Sequence, residues 1–204
     1  MKKILITGFE PFGDYAYNPT KELAEHFEGL IIDNEIQICG LVLPCTYYGA
    51  FKEVERIIDR ENLYAIINVG LSTRIPKLHI EKVFYNSMES KYADADGLQP
   101  SGDPIYPNKN EAVHPHADID FLMKCAREAN LPVATSDDPG RFICNALGFH
   151  VSHKIKDENL ATKNMFIHTP WTDDFTDKIT HEPDKIFLKK EHLYKAIELY
   201  ARNI

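Results

Sequence analysis

One cysteine stands where an apolar segment passes into a predicted helix. Within GRFICNALGFH, at positions 140–150, Cys144 directly follows Phe142 and Ile143. The free amides in the first turn of a helix stabilise an anion, and this would favour a nucleophilic thiolate at Cys144. A buried cysteine that packs as a small hydrophobe is the alternative. The other cysteines lie in strand-like, loop or mid-helix settings and are predicted to be structural: Cys39, Cys45 and Cys125.

A nucleophilic thiol requires a base, and His168 is the best candidate among the nine histidines. It ends the apolar segment NMFIH, so we expect it at a strand terminus that faces a crevice; a structural histidine is the alternative. His150 and His153 follow Cys144 on one helix, whose rise carries them away from the thiol. Three further histidines are predicted to be solvated: His26, His181 and His192.

The third group of such a site is an acid that fixes the tautomer and orientation of the imidazole. Glu81 lies in LHIEKVFYN beside the apolar residues Ile80 and Val83. A strand with this alternation would carry Glu81 inward, although an isolated acid in a strand is more often exposed.

Metal binding is a competing chemistry. His114, His116 and Asp118 form an HxHxD pattern. Because no third strong ligand is predicted beside them, we interpret them as polar loop residues.

The segment TGFEPFG, at positions 7–13, suggests a small-molecule pocket. It lacks the glycine spacing of a phosphate loop, and Pro11 removes an amide donor. Phe9 and Phe12 are predicted to be walls of an apolar pocket, with Gly8 and Gly13 allowing a tight turn. A packed loop with two core phenylalanines is the alternative.

Alternating strands and helices position these residues. Apolar segments that predict strands are KKILIT, EIQICGLVLP, YAIINVG, LHIEKVFYN, PVATSDD and KNMFIHTP. Helical spacing is found in NPTKELAEHFEG, YYGAFKEVERIIDRENL, DIDFLMKCAREANL, CNALGFHVSHKIK and KKEHLYKAIELYARN. In the first helix Asn18 is the expected N-cap before Pro19, and in the third Phe121, Leu122 and Cys125 are expected to face inward.

This order predicts an α/β fold whose sheet is covered by helices on both faces. Ligand sites in such sheets lie beyond the carboxyl ends of the strands, where TGFEPFG, GLSTR and HTPW occur. A long ordered loop is expected from Ser87 to His116. No domain boundary is evident, so residues 1–204 are predicted to form a single domain.

Composition excludes several classes of protein. The chain has 204 residues, 44% hydrophobic and 26% charged, with a net charge of −8. This charge argues against a nucleic-acid partner or an anionic membrane surface. The apolar run near the first residue is too short for an export signal, and no segment is long enough to span a membrane, so a cytoplasmic protein with free thiols is expected.

Taken together, these motifs resemble pyroglutamyl peptidase I, the pyrrolidone-carboxylate peptidase family. The resemblance rests on TGFEPFG followed by NPT, then EKVFYN, GRFICN and FIHTPW, in the family's order from about residue 3 to residue 171. It implies a cytosolic cysteine peptidase that removes an N-terminal pyroglutamyl residue. It also implies a three-layer α/β/α sandwich around a twisted mixed, mostly parallel sheet. No metal or cofactor is implied, and the chain is expected to form a homo-oligomer, either a dimer or a tetramer.

The resemblance also implies residue roles. Cys144 corresponds to the nucleophile, His168 to the base and Glu81 to the orienting acid. The substrate pocket is expected from Phe9, Phe12, Asn18, Leu71 and Phe142, with Lys91 as an auxiliary residue near the oxyanion site.

Several positions depart from the family pattern. The family often has glutamine at Leu71, alanine at Phe84, arginine at Lys91, and DAGTF in place of DPGRF, which contains Arg141. Because these departures concern substrate fit, two alternatives stay open. One is a binding protein for pyroglutamyl or other lactam ends without catalysis, and the other is a related α/β hydrolase with a different acyl specificity.

Overall fold

The computed structural model describes residues 1–109, 111–179 and 186–204. The strands are β1 (Lys2–Phe9), β2 (Ile31–Ile32), β3 (Ile36–Leu43), β4 (Ala65–Leu71), β5 (Leu78–Glu81), β6 (Phe84–Tyr85), β7 (Met88–Glu89), β8 (Ser101–Asp103), β9 (Ala112–Val113), β10 (Val133–Ser136), β11 (Lys163–Thr169), β12 (Trp171–Thr172) and β13 (Phe187–Leu188). The helices are α1 (Pro19–Phe27), α2 (Gly49–Ile58), α3 (Ile119–Glu128), α4 (Ile143–Asp157) and α5 (Lys190–Asn203), with a 3-10 turn at Asp173–Phe175.

Seven strands form the central sheet, in the order β10-β5-β11-β4-β1-β3-β2. Strands β11, β4, β1 and β3 are parallel neighbours, and β10 is parallel to β5. The pairs β5·β11 and β2·β3 are antiparallel. The predicted mixed, mostly parallel sheet is therefore confirmed.

Helices cover both faces of this sheet. One core contains apolar side chains of α1, α3 and α5, including Leu23, Leu122 and Ile197. The other contains side chains of α2 and α4, including Val54 and Leu147. Each face thus buries an amphipathic helix layer, as the α/β/α prediction requires.

The first helix begins as its sequence indicates. The Asn18 side chain accepts a hydrogen bond from the Thr20 amide, and Pro19 is the first helical residue. A Cβ atom at Gly8 would lie 1.7 Å from the carbonyl oxygen of Thr20. Gly8 therefore lets α1 approach β1 closely, whereas Gly13, with φ +59°, is the residue that serves the turn.

Three expectations about local structure are wrong in part. LHIEKVFYN is not one strand: it breaks after Glu81, and β6 pairs with β9 outside the central sheet. Phe121 is 45% exposed because α3 packs through Leu122, Met123 and Ala126 instead. The excursion from residue 87 to 116 contains three short strands, β7, β8 and β9, rather than loop alone.

Candidate active site

The first turn of α4 presents Cys144 beside amides that no side chain caps. Cys144 is the second residue of the helix, after Ile143. The preceding residue, Phe142, has extended backbone (φ −85°, ψ −165°) and offers no capping oxygen. The positive end of the helix therefore faces the thiol and the space in front of it.

Strands β11 and β5 bring a buried histidine and a buried acid together. His168 is 7% exposed and Glu81 is 1% exposed. The Nδ1–H of His168 donates a hydrogen bond of 2.7 Å to Oε1 of Glu81. In the antiparallel pair of β5 and β11, His168 lies opposite His79. Glu81 is two residues further along β5, so it lies on the same face as His79 and diagonal to His168.

The Cys144 sulfur also interacts with His168, whose second ring nitrogen is left available by Glu81. Burial by itself lowers the pKa of His168, but the Cys144 sulfur and the Glu81 carboxylate outweigh burial and raise this pKa to about 10. The site thus favours a protonated imidazole, and the sequence-predicted sulfur, ring and carboxylate form one chain of contacts.

Glycine at position 70 makes room for the sulfur. Gly70 pairs with His168 across β4 and β11. A Cβ atom at Gly70 would lie 2.8 Å from the Sγ of Cys144 and 3.0 Å from the ring of Phe166. The sequence did not reveal this role. Its only indication is that the apolar segment YAIINVG ends in a glycine.

An apolar cluster lies next to this chain of contacts. Leu71, at the end of β4, packs with Trp171 and Phe175, and Phe12 borders the same cluster. On the other side, Phe142 makes an edge contact with Tyr47, at 5.5 Å between ring centroids. Phe9 is only 3% exposed, so it supports this region from behind.

The loop that carries Phe12 is held by its neighbour Glu10. The Glu10 carbonyl accepts hydrogen bonds from Asn18 Nδ2 (3.1 Å) and from Cys45 Sγ (3.1 Å). The Glu10 amide donates to the carbonyl of Leu43. Asn18 thus braces the loop, and Cys45 is a second brace that the sequence did not indicate.

Comparisons with known proteins identify the family of this chain. The family model described as pyroglutamyl peptidase matches residues 2–198. The chain belongs to the pyroglutamyl peptidase family. The expected family of cysteine peptidases is therefore confirmed, and the chain is an enzyme of this type.

Relatives cover most of the chain. It is 33% identical over 174 residues to the pyrrolidone-carboxylate peptidase of Thermococcus litoralis, covering 85% of this chain and 79% of the relative. It is 27% identical to a Bacillus cereus pyrrolidone-carboxylate peptidase, covering 98% of this chain and 91% of that relative. The solved pyrrolidone carboxyl peptidase from Thermococcus litoralis superposes with a TM-score of 0.91 at 31% identity, over 99% of this chain and 92% of the other.

The departures from the pyroglutamyl peptidase pattern lie in different environments. Phe84 is fully buried, and its ring occupies the space that a Cβ atom at Gly148 would need. Lys91 is exposed, and its ammonium group forms no hydrogen bond or ion pair with any residue in the described ranges. Phe84 is therefore a core residue, and the structure brings Lys91 into no contact with the candidate catalytic groups.

The remaining polar candidates are engaged elsewhere. His114 Nδ1 contacts the carbonyl of Lys82, and Asp118 caps α3. In the part of the chain that the structure describes, no three His, Cys, Asp or Glu side chains are arranged to hold a metal ion. Among the same residues, no helix has the length and apolarity that crossing a membrane requires. His181 lies outside the described residues.

Sequence reasoning also missed Asn145, the residue after the thiol. Its side chain is fully buried. It accepts a hydrogen bond from the amide of Tyr85 and donates to the carbonyls of Tyr85 and Ser87. Asn145 therefore connects the first turn of α4 to β6. In the sequence, the only sign of this role is that a polar residue stands at the start of a predicted helix.

Proposed function

We propose that this protein hydrolyses the amide bond after an N-terminal L-pyroglutamyl residue of peptides, through a thioester on Cys144. The observation that carries this proposal is the chain of contacts from the Cys144 sulfur through His168 to Glu81, in a member of the pyroglutamyl peptidase family. Peptide substrates follow from the family, and the residue roles below are part of the proposal.

The thiolate of Cys144 attacks the carbonyl carbon that joins pyroglutamate to the next residue. The protonated His168 then transfers its proton to the nitrogen of the leaving amine, and the C–N bond breaks to leave a thioester. Water, deprotonated by the now neutral His168, attacks the thioester and regenerates the thiolate and the imidazolium. Glu81 holds Nδ1 of His168, so that the other nitrogen faces the sulfur throughout.

The first turn of α4 stabilises the oxyanion of both tetrahedral intermediates. The backbone amide of Cys144 is the donor that we assign to this role, because no side chain caps this helix start. We retain Lys91 only as an auxiliary group, since its exposed side chain would have to move to reach the oxyanion.

An uncharged lactam suits the apolar cluster next to the sulfur. Phe12, Leu71 and Phe142 form the walls that we propose for the ring, and Phe9 and Asn18 support them. The Ser72 amide already donates to the Thr169 carbonyl, so the backbone groups of Leu71 are the candidates for pairing with the lactam. An open glutamate would bury an unpaired charge here, which costs several kcal/mol.

The test compares wild-type protein with Cys144→Ala and Cys144→Ser on a pyroglutamyl aminomethylcoumarin substrate. We expect fluorophore release by the wild type, loss in both variants, and inhibition of the wild type by thiol alkylation. A panel of other aminoacyl amides tests the acyl specificity. A folded wild type that binds a pyroglutamyl peptide without turnover would contradict the proposal and favour a lactam-binding protein.

We further propose a cytoplasmic location, one domain over residues 1–204 and assembly as a homo-oligomer, either a dimer or a tetramer. The family resemblance supports the location and the assembly. The continuous central sheet, whose strands come from both halves of the chain, supports the single domain. Size-exclusion chromatography with light scattering measures the assembly directly.

A further inference from the structure

We infer that Tyr85 and Arg141 form a matched positioning pair that fixes the segment carrying Cys144. This inference rests on the proposed role of Cys144 as the nucleophile. Neither residue touches the reacting atoms in the mechanism above, and Arg141 is one of the departures from the family pattern.

Arg141 is held over the face of Tyr85. Its guanidinium carbon lies 3.9 Å from the centroid of the Tyr85 ring. Its Nη1 donates to Oδ1 of Asp138 (2.9 Å) and to the carbonyl of Gly140 (2.6 Å). A cation stacked on an aromatic face and neutralised by a carboxylate has a defined orientation, and the Arg141 side chain is only 31% exposed.

Tyr85 contacts the same segment at two further points. Its hydroxyl donates to the carbonyl of Asp137 (2.9 Å). Its amide donates to Asn145 Oδ1 (2.8 Å), and its carbonyl accepts from Asn145 Nδ2 (2.9 Å). Tyr85 therefore contacts residues on both sides of Cys144: Arg141 and Asp137, three and seven residues before it, and Asn145, one residue after it.

The backbone of Arg141 is fixed as well. Its carbonyl accepts hydrogen bonds from the Glu89 amide (2.9 Å) and from the Tyr47 hydroxyl (3.4 Å). Because both ends of the 141–145 turn are tied to Tyr85 and its neighbours, the turn cannot rotate independently of β6. This restraint holds the Cys144 sulfur in the small space above Gly70.

Geometry, rather than charge, is the means by which Arg141 acts. Asp138 is ion-paired with the guanidinium, so the net charge that the pair presents to the sulfur is small. Loss of either member of the pair should therefore loosen the turn and lower the fraction of molecules with a correctly placed sulfur. A displacement of even about 1 Å at a reacting atom is costly to the rate.

The experiment is a double-mutant cycle with Arg141→Thr, Tyr85→Leu and the double variant. We expect each single variant to lower kcat about tenfold and to change KM by less than about twofold. A loss of about tenfold is the size expected from removing one partly buried cation–π contact. The double variant should lose no more than the worse single variant. Alkylation of Cys144 by iodoacetamide, followed against pH, should show a lower plateau rate and an unchanged midpoint.

Conservative and control variants separate positioning from folding. Arg141→Lys keeps a cation and Tyr85→Phe keeps the ring, so both should recover most of the loss in kcat. Lys2→Thr removes a comparable contact, 4.2 Å from the Tyr64 ring at the opposite end of the sheet, and should change neither kcat nor alkylation.

Three results would overturn the inference. The first is a loss of kcat in the double variant equal to the product of the two single losses, and the second is an equal loss of kcat in Arg141→Thr and Arg141→Lys. The third is a shifted pH midpoint of alkylation, which would show that charge acts directly on the sulfur. If Tyr85→Leu does not fold, the comparison of the two Arg141 variants decides alone. Failure of the proposed function looks different, because the wild type itself would then release no fluorophore.

Discussion

Adding one methyl group at Gly70 tests the placement of the sulfur directly. In Gly70→Ala the new Cβ atom would lie 2.8 Å from Cys144 Sγ, about 0.6 Å short of the 3.4 Å at which ordinary contacts begin. The strand backbone at this position is not left-handed, so no backbone strain accompanies the change. The sulfur must therefore move by roughly half an ångström or more away from β4.

This displacement should lower kcat by about 100-fold, because misplacement of a reacting atom on the scale of 1 Å has this cost. The separation between the sulfur and the His168 ring should change at the same time. The assay is release of aminomethylcoumarin from its pyroglutamyl amide, with thermal unfolding and circular dichroism to establish that the variant folds.

Gly148→Ala is the matched control. Its new Cβ atom would lie 2.3 Å from ring carbons of Phe84, in the core one turn along α4 from Cys144, and its nearest contacts are with that ring rather than with the sulfur. Both variants should lose about 1–3 kcal/mol of stability through overpacking, but only Gly70→Ala should lose most of its kcat. The reasoning is refuted if folded Gly70→Ala turns over within threefold of the wild type, or if both variants lose the same factor in kcat.

Three further predictions concern groups around the site. Glu81→Gln keeps the shape but not the charge behind His168, so kcat should fall by at least about 100-fold; near-normal turnover would remove Glu81 from the mechanism. Burial, with a smaller contribution from His153, lowers the pKa of His150 to about 4, so the unfolded state binds the extra proton first and stability falls as the pH drops from 6.5 towards 4. This group alone accounts for about 3 kcal/mol, and urea unfolding of His150→Phe should show a correspondingly weaker loss of stability in acid than the wild type. Cys45→Ala removes one of the two donors to the Glu10 carbonyl, so KM should rise a few-fold with kcat nearly constant, and Cys45→Ser should restore KM; an unchanged KM in Cys45→Ala would show that this brace is dispensable.

Local signals in the sequence were sufficient for most elements. Asn18 followed by Pro19 marks the start of α1, because the side-chain oxygen and the missing amide both suit a helix terminus. Apolar runs such as YAIINVG predict central strands, because a parallel strand that is buried on both faces accommodates apolar side chains on both. The structure places this run in β4, which is buried throughout. The candidate chemistry at Cys144, His168 and Glu81 was found because each lies at the end of such an element.

Pairings between distant segments were not visible in the sequence. Nothing in LHIEKVFYN indicates that β5 runs antiparallel to β11, or that the chain leaves the sheet after Glu81. Phe84 was expected to affect the pocket, but its ring fills the space beside Gly148 instead. The large and the small residue that fit together here lie in two segments more than sixty residues apart. Such contacts depend on tertiary packing rather than on local propensity.

The position of β11 in the sheet has a consequence for the protein during its synthesis. This strand is the last of the seven to leave the ribosome, yet β5 and β10 join the rest of the sheet only through it. A nascent chain shorter than about 160 residues therefore holds two unconnected fragments of sheet, and late, non-local pairing of this kind is slow. The candidate catalytic groups come together only after β11 has been made, so a nascent chain that stops short of this strand is unable to trim the peptides around it.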